Sequence, residues 1–292
     1  MADFSPTLPP TLAPDAHKGQ AGRILCLCGS PTMPGAASLV VRAAQRAGAG
    51  LVTLVVFHQE IIGHVAPLSP ETMYLDVSRS QDLYAGRVPR EITEHRHDVR
   101  VVGPGLSRSG RTRELVRRVV EGEFEGPTLF DADALAVLAG IPEVLMQANG
   151  PVVLTPHVGE AASLLDRDIP SDPEGRVEAA RELANRSGAT VALKGHGTVV
   201  TDGERVFVCK AGNPGMATGG SGDVLSGISG AYLCSIQDGY TPFDAVAAAV
   251  QVHARAGDLA AETLGQRALI ASDLIAHLPM AQRELLGSSA AV

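Results

Sequence analysis

A single carboxylate stands among glycines in the segment from Ala211 to Leu233, AGNPGMATGGSGDVLSGISGAYL. Asp223 is the only charged residue of this segment. The glycines that precede it are Gly212, Gly215, Gly219, Gly220 and Gly222. Glycine lets an anion approach the backbone, and a carboxylate can take a proton from a hydroxyl group. The combination indicates phosphate binding next to acid–base chemistry.

The residues after Gly222 have the apolar spacing of a helix. Those that fall on one helical stripe are Val224, Leu225, Ile228, Ala231 and Tyr232. The glycines therefore lie at a helix N-terminus, where free N–H groups and the helix dipole attract anions. A structural alternative stays open: the glycines could relieve a tight turn, and Asp223 could favour the first helical turn as any carboxylate does. Neither the P-loop nor the dinucleotide fingerprint is present in the required place.

Four other polar or glycine-rich turns follow short apolar runs. They are GPGL (103–106), DADAL (131–135), TPHVGE (155–160) and KGHGT (194–198). Ligands of open α/β sheets bind at the carboxyl ends of strands, so we expect these turns to meet in one cleft. Each has an alternative: Asp131 and Asp133 could cap a helix, His157 could be a surface loop residue, and Lys194 could be a solvated cation.

The elements that must position these turns are predicted from hydrophobic patterns. Strands are expected at 23–28, 51–57, 99–103, 127–130, 151–154 and 190–194, and near-continuous apolar strands suit a parallel sheet covered on both faces. Helices are expected from Pro34 to Gly48 or Gly50, with Ala37, Val40, Val41 and Ala44 on one stripe, and around 242–264 and 271–285. Asp202-Gly203 between two short strands indicates a hairpin, which adds an antiparallel edge.

The composition excludes several classes of function. The chain has 292 residues, 45% hydrophobic and 19% charged, with a formal net charge of −8. It can bury a sizeable core, and its charge argues against a nucleic acid or an anionic membrane as the main partner. The four cysteines lack Cys-x-x-Cys spacing, so reduced, buried thiols in a cytoplasmic protein are expected. The proline-rich start lacks the apolar region of a signal peptide.

Several segments in order carry a family resemblance. They include HKGQAGRILCLCGS, GPGL, DADAL, TPHVGE, LKGHGTVV and GNPGMATGGSGDVLSGISGAYL. From about His17 to Leu278 the chain closely resembles the NAD(P)H-hydrate dehydratase family of the ribokinase-like superfamily. The resemblance implies a three-layer α/β/α sandwich with a central, mostly parallel sheet and an antiparallel edge hairpin. It divides the chain into an arm at 1–21, one domain at 22–285 and a tail at 286–292.

The resemblance also implies a reaction, the repair of hydrated nicotinamide cofactors. ADP or ATP phosphorylates the C6 hydroxyl of (6S)-NADHX or (6S)-NADPHX, and phosphate then leaves to regenerate NADH or NADPH. Similarity to bacterial members suggests ADP as the donor and a homo-oligomer, with a tetramer as the suggested form. Many members are fused to an epimerase of these hydrates; the residues before Gly22 are too few for one, so a separate epimerase is expected.

The family's functional residues transfer to matching positions of this sequence. Asp223 resembles the catalytic base, and the N–H groups of Gly220, Ser221 and Gly222 would stabilise charge on the transferred phosphoryl group. The implied nucleotide-binding residues are Lys194, Gly195, His196, Gly197, Thr198 and Gly222. The implied substrate-binding residues, with Asp223, are Ala36, Gly105 and His157. We expect these three to lie on the acceptor side, opposite the segments KGHGT (194–198) and GSGD (220–223).

One motif points to a metal ion. HVGE aligns with the Asn-x-x-Glu magnesium motif of related kinases, with His157 in place of asparagine. Glu160 is left as a water-mediated anchor for Mg²⁺, which prefers oxygen ligands and retained water. Two other functions stay open. One is a ribokinase-like kinase of a vitamin-precursor alcohol, and the other is a nucleotide-binding regulator without turnover.

Overall fold

One sheet forms the centre of the molecule, which the computed structural model describes over residues 5–84, 87–238 and 240–289. Its strands are β1 Arg23–Leu27, β2 Leu51–Val56, β3 Met73–Asp76, β4 Val99–Val102, β5 Thr128–Phe130, β6 Val152–Leu154, β7 Thr190–Leu193, β8 Val199–Thr201 and β9 Val206–Val208. Their order across the sheet is β3-β2-β1-β4-β5-β6-β7-β8-β9. Strands β1 to β7 pair in parallel, and β8 and β9 add antiparallel pairs at one edge.

Helices cover both faces of this sheet. They are α1 Pro34–Arg46, α2 Ile61–Val65, α3 Gln81–Tyr84, α4 Arg90–Glu94, α5 Gly110–Glu121, α6 Asp133–Ala136, α7 Val158–Leu165, α8 Pro173–Ser187, α9 Ser221–Leu233, α10 Pro242–Leu264 and α11 Ala271–Ser289. Short 3-10 turns lie at Pro142–Gln147, Pro214–Met216, Cys234–Asp238 and Gln266–Ala268.

Side chains alternate in direction along each strand, and this alternation divides the core into two layers. In β1, Ile24 and Cys26 pack into the cluster that holds the buried faces of α1, α9, α10 and α11. Leu25 and Leu27 point to the other face, into the cluster with α5, α6, α7 and α8. Successive side chains of a strand point to opposite faces, which requires apolar residues at every position of a strand buried on both sides. The predicted α/β/α sandwich with its antiparallel edge is confirmed.

Most predicted elements are found close to their expected bounds. Each of the six predicted runs contains a strand, the hairpin forms around Asp202-Gly203, and α10 spans the predicted 242–264. Helix α11 continues past the predicted end at 285 to Ser289 and contains Pro279. Strand β3 was not expected from the sequence. The division into arm, domain and tail stays a prediction, although Leu8 of the arm packs against the core.

Helix α9 is buried on all sides, whereas the sequence predicted one buried face. All residues from Val224 to Leu233 are buried, because α1, α10 and the sheet surround the helix. A Cβ at Gly227 would lie 2.4 Å from the carbonyl oxygen of Val40 in α1. A Cβ at Gly230 would lie 2.6 Å from Val101 Cγ2 in β4. These two glycines therefore allow α9 to sit against both neighbours and fix the position of its N-terminus.

The cysteines are free thiols, as expected. Cys26, Cys28 and Cys209 are buried, but Cys234 is only half-buried. Among the described residues, no helix is long and apolar enough to cross a bilayer.

Candidate active site

Asp223 lies in the first turn of α9, at the carboxyl edge of the sheet. The pKa of this carboxyl is raised to about 7, mainly by burial and also by the charges of Asp131 and Asp133, against the opposing charge of Lys194. A carboxyl group with a pKa near neutrality can accept a proton and later release it. The sequence indicated Asp223 as the candidate base, but the residues that surround it in the fold set its pKa.

The backbone at the start of α9 offers donors to an anion. No described residue accepts the N–H of Gly220, Gly222 or Asp223, whereas the N–H of Ser221 donates to Thr218 O at 3.3 Å. Unpaired amides at a helix N-terminus bind negatively charged groups. Of the three predicted donors, Gly220 and Gly222 are free and Ser221 is already engaged. Asp223 N–H adds a donor that the sequence did not indicate.

Gly220 is the residue that turns the chain into α9. Its φ of +88° lies in the left-handed region, and a Cβ there would lie 2.4 Å from Leu39 Cδ1 and 3.2 Å from Ala271 Cβ. Left-handed backbone costs a residue with a Cβ roughly 1–2 kcal/mol. Gly219, next to it, has open space around a Cβ and no positive φ.

The two adjacent glycines provide a matched test. We expect Gly220→Ala to lower the free energy of unfolding by about 1–2 kcal/mol, because the new Cβ strains the turn and meets Leu39. Gly219→Ala should stay within about 0.5 kcal/mol of wild type. Denaturant unfolding measures both variants. Equal losses in the two would contradict the assigned turn geometry.

Near Asp223 lies an ion pair between the buried Asp131 and the half-buried Lys194. Lys194 Nζ donates to Asp131 Oδ1 at 2.7 Å, and Ser226 Oγ donates to Asp131 Oδ2 at 2.7 Å. Burial lowers the pKa of Lys194, but the charges of Asp131, Glu160 and Asp223 outweigh it and the net shift is upward. The lysine is therefore a fixed, charged ammonium and not the solvated cation of the alternative interpretation.

Lys194 also reaches the anion-binding turn. A Cβ at Gly222 would lie 3.2 Å from Lys194 Nζ. The ammonium thus lies beside the N-terminus of α9, and glycine at position 222 leaves room for it. Its positive charge adds to the attraction that the free amides exert on an anion.

The loop before α9 is held by residues of α10 that the sequence did not single out. Asp258 accepts hydrogen bonds from Gly212 N at 3.0 Å and from Asn213 Nδ2 at 2.9 Å. His253 Nε2 donates to Ser221 O at 2.9 Å, and burial lowers the pKa of this histidine to about 4, so it is neutral at pH 7. A polar residue on an otherwise apolar helix face was the only sequence signal for either.

The KGHGT segment follows β7 and contains two glycines with positive φ angles. Gly195 has φ +145° and Gly197 has φ +66°. Arg176 of α8 lies beneath them and donates to the carbonyl oxygens of Leu193 at 3.3 Å, Lys194 at 3.4 Å and His196. This arginine, which the sequence analysis did not identify, orders the backbone of the predicted nucleotide-binding segment.

Two of the predicted substrate-binding positions lie together. A Cβ at Gly105, whose φ is +68°, would lie 2.9 Å from Ala36 Cβ. Gly105 therefore lets the turn after β4 approach the start of α1. His157 lies elsewhere, because its backbone bridges to Lys194 beside the donor segment. The expectation that all three face the KGHGT segment from the opposite side is wrong for His157.

His157 has a structural role in α7. Its Nδ1 accepts from Glu160 N at 3.1 Å, and its own N–H donates to Glu160 Oε2 at 2.8 Å, which forms a capping box. The imidazole is still 58% exposed, so it can contact a ligand.

The two aspartates of DADAL do not cap a helix. Ala132 is the N-cap residue of α6, and no side chain caps that end. Asp131 instead pairs with Lys194, while Asp133 accepts from Ser107 N at 2.8 Å.

The structure offers little for direct metal binding. No group of three potential ligands occurs among the described residues. Glu160 is buried, and one of its oxygens already accepts from His157 N. The remaining oxygen, Oε1, lies 3.4 Å from His157 Nε2, so the water-mediated contact of Glu160 with Mg²⁺ stays a prediction.

Comparison with known proteins shows the family of this chain. The sequence model of the NAD(P)H-hydrate dehydratase family matches residues 24–280. The bifunctional NAD(P)H-hydrate repair enzyme of Moorella thermoacetica is 40% identical over 277 residues, which cover 92% of this chain and 51% of that protein. The chain spans about half the length of the curated relatives it matches.

Solved structures extend the comparison to the fold. The ADP/ATP-dependent NAD(P)H-hydrate dehydratase of Bacillus subtilis, co-crystallised with ATP/Mg²⁺, has a TM-score of 0.81 and 29% identity and covers 96% of this chain and 95% of its own. A ribokinase-like superfamily protein of Enterococcus faecalis, 24% identical with a TM-score of 0.78 over 95% of this chain and 92% of its own, shows the same fold. The predicted ribokinase-like fold is confirmed, and the chain belongs to the NAD(P)H-hydrate dehydratase family.

Proposed function

We propose that this protein uses ADP or ATP to convert (6S)-NADHX and (6S)-NADPHX to NADH and NADPH with release of phosphate. The observation that carries the proposal is the placement of Asp223. Its carboxyl, with a pKa raised to about 7, stands beside the free amides of Gly220 and Gly222. A base next to an anion site is what transfer of a phosphoryl group to a hydroxyl requires.

The chemistry follows from these neighbours. Asp223 takes the proton of the C6 hydroxyl as that oxygen attacks the terminal phosphorus of ADP or ATP, and AMP or ADP leaves. The amides of Gly220 and Gly222, with Lys194 behind them, stabilise charge on the transferred group. The C6–O bond then breaks, phosphate departs with the former hydroxyl oxygen, and loss of a proton from C5 restores the ring double bond.

The donor is assigned to the side of β7. Arg176 donates to the carbonyl oxygens of Lys194 and His196 in the segment 194–198. The N–H of Lys194 already donates to Pro156 O at 2.8 Å, so we assign the amides of residues 195–198 to the nucleotide. Glu160 would contact a nucleotide-bound Mg²⁺ through water. That ion would supply charge neutralisation on the phosphates when bound.

Other parts of the proposal concern the setting of the reaction. We propose that an epimerase supplies the (6S) hydrate and that the protein assembles into a homo-oligomer, with a tetramer as the form to test. We place the reaction in the cytoplasm, because reducing compartments keep thiols free and all four cysteines are free thiols.

The pH dependence provides one prediction. The protonated form of Asp223 cannot accept a proton, so kcat/KM for the hydrate should fall about tenfold per pH unit below its pKa of about 7 and level off above it. The measurement is hydrate conversion between about pH 5 and pH 9. A profile that stays flat down to about pH 5 would indicate an ordinary carboxyl.

The function itself is tested by substrate comparison. Purified protein with Mg²⁺ and ADP or ATP should convert either (6S) hydrate to the reduced cofactor, followed by the return of dihydronicotinamide absorbance. A hydroxymethylpyrimidine or a hydroxyethylthiazole should not be phosphorylated. Phosphorylation of such an alcohol with both hydrates untouched would favour the kinase alternative, and nucleotide binding without any turnover would favour a regulator.

A further inference from the structure

A cleft of about 560 Å³ opens at the carboxyl edge of the sheet and is lined by none of the residues assigned to the reaction above. Its walls are the turn after β1, the segment after β2 and the first turn of α5. It lies where the strand order reverses, since β1 pairs with β2 on one side and with β4 on the other. Ligands of open α/β sheets bind in the crevice at such a switch point.

The cleft adjoins the acceptor positions. Gly29, in its wall, donates its N–H to Pro104 O at 2.7 Å, directly before Gly105. Ser107, also in its wall, donates its N–H to Asp133 Oδ2 at 2.8 Å. Asp133 is one of the charges that act on Asp223. A ligand whose reactive ring lies at Gly105 can therefore extend into this cleft without crossing the donor segment.

The lining of the cleft suits a nucleotide. Phe57 is half-buried and presents an aromatic ring on which a base can stack. Arg111, in the first turn of α5, is exposed and forms no ion pair with a described residue. Glu60 lies on the wall beyond β2, so a phosphate would be repelled there and attracted toward Arg111. The volume is within the usual range for small-molecule sites.

We propose that this cleft binds the adenosine half of the dinucleotide hydrate and that Arg111 holds the phosphate on the adenosine side, which the nicotinamide mononucleotide lacks. This proposal rests on the proposed function for the identity of the dinucleotide. The hydrated ring then lies between Gly105 and Asp223, and the rest of the molecule follows the β1–β4 crevice. Arg111 contributes binding energy and takes no part in the chemistry, so its loss weakens affinity and leaves the reactive groups in place.

The test separates the two halves of the ligand. Calorimetry would compare NADH, the expected product, with reduced nicotinamide mononucleotide, which lacks the adenosine half. We expect Arg111→Ala to raise the Kd of NADH about tenfold or more, the scale of a charge-assisted phosphate contact, and to leave the mononucleotide unchanged. Arg113→Ala is the matched control, because Arg113 is exposed on the same helix but does not line the cleft.

The possible results are distinct. An Arg111→Ala protein that binds NADH like wild type, or that loses affinity for both ligands equally, would overturn the proposal, as would a wild-type protein that binds the two equally well. Turnover of (6S)-NADHX is measured separately. Selective, Arg111-dependent NADH binding without turnover would support the cleft assignment and reject the proposed function.

Discussion

Asp223→Asn is expected to lower the turnover of (6S)-NADHX by about 10²-fold or more, the scale of general acid–base catalysis. The amide is nearly isosteric with the carboxylate but cannot accept the C6 hydroxyl proton. The free amides of Gly220 and Gly222 and the ammonium of Lys194 remain, so ADP should bind with its wild-type affinity. Steady-state turnover and calorimetry with ADP measure the two effects.

A stability measurement distinguishes lost chemistry from lost structure. Because the folded-state pKa of Asp223 is raised, the carboxyl favours the folded state in its protonated form, and this contribution is lost as pH rises through about 7. Above that pH the asparagine variant should therefore have a Tm at or above that of wild type. Turnover within about threefold of wild type would remove Asp223 from the role of base.

Asp131→Asn should have the largest effect on stability. Asp131 is 1% exposed, and its carboxylate pairs with Lys194 Nζ at 2.7 Å. The substitution removes the nearest counter-charge of Lys194, whose side chain is 18% exposed. Glu160 and Asp223 compensate the ammonium only in part, so we expect the free energy of unfolding to fall by about 3 kcal/mol. Denaturant unfolding gives this value directly.

The same substitution should change the proton affinity of the base. The charge of Asp131 raises the pKa of Asp223, so its removal should shift the acid limb of the pH–rate profile to lower pH. Asp133→Asn is the control for stability, since Asp133 accepts from Ser107 N and does not pair with Lys194. Equal losses of stability in the two variants would show that the ion pair has no special role.

Much of the fold could be predicted because its signals are local. The strands of the parallel sheet are buried on both faces and are therefore apolar throughout, and α10 begins at Pro242 after the capping residue Thr241. Strand β3 gave no such signal. Met73–Asp76 pairs only with β2 at the sheet edge, and its side chains are exposed or half-buried.

The site was predictable in its position but not in its internal contacts. Glycines around Asp223 indicated an anion site at a helix N-terminus, and the structure has free amides there. The pair between Lys194 and Asp131 joins residues 63 positions apart in sequence. Asp131 follows β5 and Lys194 follows β7, with β6 between the two strands. The sequence does not show that these two side chains come into contact. Three residues on helices also hold the site in place: Arg176, His253 and Asp258. The sequence does not distinguish them from the solvent-exposed polar residues of the same helices.

The origin of the oxygen in the released phosphate is the most direct test of the account. The hydrate is prepared in ¹⁸O-water so that its C6 hydroxyl carries the label, and it is then turned over with unlabelled ADP in ordinary water. If Asp223 activates this hydroxyl to attack phosphorus, and the C6–O bond then breaks, each phosphate released carries one ¹⁸O atom. Unlabelled phosphate beside newly formed NADH would mean that water attacks the nucleotide, and the proposed mechanism would be wrong.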